Sequence, residues 1–226
     1  MKRQIRRNVF ETNSSSMHSL VVLKRDEYYT EEEVRECFYV GKDGFCKINY
    51  SFDDEEMHFG RYPFRILTTF KDKICYTLAS MCKFKNDEVY KEVCDTIRSY
   101  IPEFKDFKCK FEVGTYSKEY YTEDRIISMF GENNYIGVDE YWVVWGYYLG
   151  SVDEDILTGF LEKKNITIKE FITNKKYIVV IDGDEYYIFD KCKASGIIDL
   201  AMIEDEYCPN DYLNGGEEEN ETENQE

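Results

Sequence analysis

The feature that most restricts this fold lies just after Pro63. Leu67, Phe70, Ile74, Leu78 and Met81 recur at steps of three and four, and Cys75 and Cys82 fall on the same face. That spacing draws an apolar stripe along a helix, and such a stripe needs another surface to cover it. A second helix pattern starts at Asn86-Asp-Glu, turns Val89, Val93, Ile97 and Tyr100 inward, and stops at Pro102. Three more starts are marked by capping boxes, Thr30 to Glu33, Ser151 to Glu154 and Thr167 to Glu170. In each, a hydroxyl takes the backbone N–H three residues on, and the Glu reaches back. The first box opens a helix through Val34 and Phe38. The second precedes Ile156, Leu157, Phe160 and Leu161, and the third Phe171 and Ile172.

Strand patterns are scattered between these helices. QIRRNVF at 4–10 reads as a first strand and SLVVL at 19–23 as a buried one. After the KDG turn at 42–44, FCKINYSF alternates, as does KCKFEV at 108–113. KYIVVIDGDEYYIF at 176–189 reads as a hairpin turning at Asp182-Gly183, because Gly takes positive φ cheaply. Thr122 caps a helix running to about Phe130. The aromatic stretch YIGVDEYWVVWGYYLG reads as a strand over 135–138 followed by a helix from Asp139. Ser195 begins a last helix with Ile198, Ala201 and Met202 inward. Strands and helices follow no regular βαβ rhythm. The expected class is therefore α+β, a mixed or antiparallel sheet with several packed helices. The expected organisation is one domain over 1–213, with 102–118 as the place where it would divide, and an acidic disordered tail over 214–226.

Charge separates the functions open to such a chain. With 46 Asp and Glu against 29 Lys and Arg, the net charge is −17. Phosphate repels such a surface, so direct nucleic-acid binding and anionic membranes are disfavoured. The tail NGGEEENETENQE has six Glu, no base and no apolar side chain to bury. The head is the reverse: Lys2, Arg3, Arg6, Arg7, Lys24 and Arg25 face only Glu11 within the first 25 residues. Eight Cys occur without a C-x-x-C or any paired metal-ligand spacing, which fits free thiols in a reducing cytoplasm. The basic start lacks the apolar core of a signal peptide, and no apolar run is long enough to span a bilayer. The expected location is cytoplasmic.

The candidate site is ETNSSSMHS, Glu11 to Ser19, which holds one of only two histidines. Asn13, Ser14, Ser15 and Ser16 offer hydrogen bonds, and backbone N–H groups in a turn converge on anions. Arg6 and Arg7 add charge, since a guanidinium grips phosphate with two parallel bonds. His18 is the candidate catalytic residue, because an imidazole titrates near neutrality and exchanges protons as acid or base. The plainer reading is a Ser/Asn turn that launches SLVVL, since these side chains bond their own backbone. No Gly stands in the segment, so it is neither a Walker loop nor a dinucleotide fingerprint.

Other constellations read more plainly. Asp53, Asp54, Glu55, Glu56 and His58 carry metal-ligand types, but they lack the alternation of a calcium loop and fit a solvated acidic loop. The Tyr and Trp residues over 141–148 fit a core before a base-stacking platform. Asp182, Asp184 and Glu185 fit a turn before a chelate. No metal site is expected, and the sequence names no cofactor.

The opening RRNVFETNSSSMHSL resembles a family of uncharacterised proteins from bacteriophages, prophages and Firmicutes that begin R-x-x-F-E-T-N-S-S-S-x-H-S. Arg7, Phe10, Glu11, Thr12, Asn13, Ser14, Ser15, Ser16, His18 and Ser19 carry the resemblance, with Met17 at the variable position. A second similarity lies in HFGRYPFRILTTFKDKICYTLAS, an F-G segment before a helix. Together they cover about the first third of the chain. The resemblance implies a phage or mobile-element setting in a bacterial host and supplies no activity. Two functions are expected from these readings. One is a site for a phosphorylated small molecule or nucleotide around ETNSSSMHS. The other is a noncatalytic acidic protein that occupies the basic channel of a host nucleic-acid-processing protein.

Overall fold

A computed structural model describes residues 17–50, 59, 64–82, 88–111, 135–138, 141–144, 154–182 and 188–208. The architecture is α+β. In chain order the elements are β1 (Met17–Leu23), α1 (Glu31–Cys37), β2 (Phe45–Tyr50), β3 (Arg65–Leu67), α2 (Phe70–Met81), α3 (Glu88–Arg98), β4 (Asp106–Phe111), β5 (Tyr135–Val138), β6 (Tyr141–Val144), α4 (Glu154–Lys164), α5 (Ile168–Thr173), β7 (Tyr177–Asp182), α6 (Ile188–Ala194), a 3₁₀ turn (Leu200–Met202) and β8 (Ile203–Tyr207). They form two four-stranded sheets, ordered β3-β7-β1-β8 and β2-β4-β6-β5.

The first sheet is antiparallel throughout, and its order follows from composition. The two most apolar strands, SLVVL within β1 and YIVVI within β7, lie side by side in the middle, where both faces are covered. Leu20, Val22, Val179 and Ile181 join the main core on one face. Val21 and Val180 pack with Phe189 of α6 on the other. The three-residue β3 and the acidic β8 take the edges, where short length and charge discourage further pairing. In the second sheet β2 and β4 run parallel, joined by the long excursion through α2 and α3.

The helix expected after Pro63 is α2, and most of its residues are buried. Every residue from Lys73 to Ser80 is buried. Thr69 caps it: its side chain accepts from the Asp72 N–H, and the Asp72 carboxylate returns to the Thr69 N–H at 3.1 Å. A helix buried all round must satisfy its own polar groups. The Thr77 and Ser80 hydroxyls therefore donate to the carbonyls four residues back, at 2.7 and 2.8 Å. Ile74 and Leu78 are fully buried, so truncating either to Ala costs about 2–5 kcal/mol. Leu67 departs from the expectation. It lies in β3, paired with Val179, and packs on the core from the sheet.

The first capping box forms in full at Thr30 and Glu33. The third forms by half: Thr167 accepts from Glu170, whose carboxylate turns instead to the Tyr28 hydroxyl and the Asn174 amide. The helix expected from Asn86 is α3, with Val93 and Ile97 inward, and KCKFEV overlaps β4. The KDG turn needs its glycine. Gly44 has φ +87°, and a Cβ there would stand 2.9 Å from the Glu103 carbonyl oxygen.

Three local expectations are corrected. The residues from Tyr141 to Val144 form strand β6, not a helix. Val138 pairs with Tyr141 across two residues and Trp142 with Phe111 of β4, so a distant strand fixes what periodicity left open. The 176–189 hairpin does not form, because β7 already has β1 on one side and β3 on the other. Ile188 and Phe189 open α6 instead, with the Phe189 N–H donating to Asp182 Oδ2 at 3.0 Å. The helix from Ser195 is also absent. Gly196 takes φ +76°, which breaks a right-handed helix, and Ala201 and Met202 are exposed. The expected first strand at 4–10, the Thr122 helix, the Ser151 cap and the acidic tail lie outside the described residues.

One buried cluster takes side chains from both sheets, including Cys46 and Phe107 of the second and Leu20 and Val179 of the first, with α1 to α5 between. Phe38, Phe104 and Phe107 meet edge to face there, with ring centroids 5.0–5.8 Å apart.

Candidate functional site

His18 is the second residue of β1, and it is only 5% exposed. It pairs with Ile181 of β7, which pairs in turn with Arg65 of β3. Residues opposite one another in a sheet share a face, so His18, Ile181 and Arg65 form one row on the side that faces α2. The row carries the imidazole to α2. His18 Nδ1 stands 3.1 Å from the Tyr76 hydroxyl, and Nε2 stands 3.1 Å from the Phe59 carbonyl oxygen.

These partners assign the ring's protons. A carbonyl oxygen only accepts, so Nε2 carries hydrogen and donates to Phe59. In the neutral ring Nδ1 then accepts from the Tyr76 hydroxyl. The rings lock the arrangement further. Phe59 meets Tyr76 edge on at 5.3 Å, and the Arg65 guanidinium lies 5.5 Å over the Phe59 ring. Both ring nitrogens of His18 are thus engaged inside the core. While these bonds stand, neither is offered to a ligand's proton.

The contacts join stretches far apart in the chain. His18 comes from ETNSSSMHS, Phe59 is the F of the F-G segment, and Tyr76 lies in the helix after it. No residue pattern signals that these meet, because Tyr76 reads as one more residue of an apolar helix.

The remaining proposed site residues, Arg6, Arg7, Asn13, Ser14, Ser15 and Ser16, lie outside the described residues, as do His58 and the acids from Asp53 to Glu56. Asp182 is 3% exposed and serves α6 as a hydrogen-bond acceptor. Asp184 and Glu185 lie outside. Among the described residues no group of three His, Cys, Asp or Glu side chains is placed to hold a metal ion. Cys37, Cys94 and Cys192 are free thiols. Burial pushes the Cys94 thiol up to about 12, away from the thiolate that reacts. No helix among the described residues is long and apolar enough to cross a membrane.

A second buried polar group was missed in the sequence. Lys73 is fully buried in α2, and its Nζ donates to the carbonyl oxygens of Asn174 at 2.6 Å and Phe171 at 3.3 Å. These carbonyls belong to the last turn and C-cap of α5, where a helix leaves its C=O groups without internal partners. The rings of Tyr29 and Phe171 lie 5.2 and 5.8 Å from the nitrogen. Burial lowers its pKa to about 7, with Arg25 acting in the same direction and Asp72 and Glu170 opposing. A signal did exist. Lys73 stands three residues after Phe70 and four before Thr77, on the apolar stripe itself.

Compared with protein-family models, curated proteins and solved structures, the chain matches none.

Proposed function

We propose that this chain binds a phosphorylated small molecule, a nucleotide or a metabolite phosphate, through the ETNSSS stretch with Arg6 and Arg7. In this reading Asn13, Ser14, Ser15 and Ser16 donate hydrogen bonds to phosphate oxygens, and the arginines supply charge. His18 does not move a proton. It holds the end of the segment against the core, and that is where the observation carrying the reading lies: both of its nitrogens are committed, to Tyr76 and to Phe59. A binding loop attached to a rigid strand is held more closely than one attached to a mobile stretch. In this reading the protein works in the cytoplasm of a bacterial host, which is the setting that the resemblance to phage and prophage proteins implies.

The alternative is an acidic decoy for a basic host protein, and it draws less support. Along β8 the carboxylates Glu204, Asp205 and Glu206 are already matched by Lys176, Lys164 and Lys193. Acids paired within the chain make a poor imitation of a phosphate row.

The test is a thermal-shift series on the full chain with inorganic phosphate, nucleoside mono-, di- and triphosphates and sugar phosphates. Stabilisation is expected from at least one of these, falling with added salt and lost in Arg7→Ala. No shift from any anion, together with salt-sensitive capture of a basic host protein, would replace this reading with the decoy.

A further inference from the structure

Lys73 places an ionisable amine inside the core. Among the described residues no carboxylate lies within ion-pair distance of its Nζ. Its hydrogen-bond partners are two backbone carbonyls, one from Phe171 and one from Asn174. An uncharged amine has two N–H groups, and the site offers two acceptors. The ammonium form has a third N–H that meets only the faces of Tyr29 and Phe171. Ring faces attract a cation, but far less than the water removed from it by full burial. The geometry therefore suits the neutral amine.

The corner that Lys73 holds is a junction of the fold. Asn174 ends α5 and leads into β7. The stretch after β1 bonds to it at several points. The Tyr29 N–H donates to Thr173, the Lys175 N–H donates to Glu27, and the Asn174 amide donates to Asp26 Oδ1. The Arg25 Nε donates to the Lys175 carbonyl at 3.2 Å. The ionisable groups around the amine are Asp72 on α2, Arg25, Asp26 and Tyr29 after β1, Glu170 on α5 and Lys175 before β7. Cys37 and Glu33 stand behind them on α1, and Glu33 pairs with Lys175 at 2.5 Å.

We propose that Lys73 is a proton-operated latch on the α5–β7 corner: the neutral amine closes it across two carbonyls, and protonation loosens it. The direction follows from linkage. The unfolded or opened chain exposes an ordinary lysine that binds its proton up to about pH 10, so it holds more protons than the closed state from neutrality upward. The closed state therefore gains stability as pH rises through neutrality and is weakest in acid. The other titrating groups are common to wild type and variants, so comparing the variants isolates the contribution of Lys73.

The experiment uses the full chain. Lysine side chains labelled at Cε are titrated by NMR from pH 5.5 to 11, with Lys73→Arg identifying the signal. One resonance is expected to turn over near neutrality and the others near their ordinary range. In parallel, thermal midpoints are recorded for wild type, Lys73→Met and Lys73→Arg. Between pH 6 and 8.5 the wild-type midpoint should rise by roughly 4–8 °C more than that of either variant. Amide exchange at Tyr29, Asn174 and Lys175, corrected for intrinsic rates, should be less protected at pH 6 than at pH 8. A Lys73 resonance titrating with the other lysines above about pH 9.5 would overturn the latch. So would a variant that keeps the wild-type pH slope. The titration is read on the unaltered protein, so it decides the question even if Lys73→Met does not fold.

Discussion

His18 Nε2 lies 3.1 Å from the carbonyl oxygen of Phe59, 41 residues further along the chain. A single imidazole thus ties the start of the central strand to the stretch before β3, while its other nitrogen meets α2 at Tyr76. Three segments far apart in sequence are fixed to one ring.

The first prediction concerns that ring. His18→Ala removes a donor from the Phe59 carbonyl and a partner from the Tyr76 hydroxyl, both inside the core, and should cost roughly 2–4 kcal/mol. Tyr76→Phe loses the hydroxyl alone and should cost about 1–1.5 kcal/mol. Because the two side chains touch, the double variant should lose less than the sum. Urea denaturation of the four proteins measures the coupling. Strict additivity would mean the bond contributes nothing.

Gly159 faces Tyr207 across the α4–β8 contact. A Cβ at that position would fall inside van der Waals contact with the Tyr207 hydroxyl oxygen. Helix propensity alone favours Ala over Gly by about 1 kcal/mol. Overpacking should exceed that gain, giving a net loss of about 1–2 kcal/mol for Gly159→Ala. The same change in a Tyr207→Phe background should be tolerated, since the obstructing atom is gone. Melting the single and double variants decides between propensity and packing.

Alkaline behaviour follows from three buried acids. Burial raises the Tyr90 and Tyr29 phenols well above their ordinary 10 and the Cys94 thiol to about 12. The unfolded chain releases these protons first. Their contribution is therefore complete below pH 9 to 10 and is lost as pH rises beyond it. Tyr90 also donates to Asp106 Oδ1 at 2.5 Å. Tyr90→Phe should flatten the fall in urea midpoint between pH 9 and 11. An unchanged fall would place the alkaline transition elsewhere.

Much of the fold could be read from local chemistry. Thr30 with Glu33 and Thr167 with Glu170 announced α1 and α5, because a cap needs only its own first turn. The apolar stripe from Phe70 to Met81 announced α2. The apolar run in β1 told that this strand was buried, though not that it would lie beside β7.

Tertiary structure decided the rest, since strand pairing and burial depend on residues far away in sequence. Trp142 became part of a strand because Phe111 stood beside it. The hairpin expected at Asp182-Gly183 failed because β3 and β1 had already taken both edges of β7. The same holds for the two histidine and lysine positions that matter most. The sequence alone marked His18 as a reactive type in a polar segment, while Lys73 passed unremarked on the apolar stripe. Only packing turned the first into a buried tie between Tyr76 and Phe59 and set the second against two backbone carbonyls. An imidazole or an amine acts through whatever surrounds it, and those surroundings are assembled from elements more than 40 residues apart in both cases.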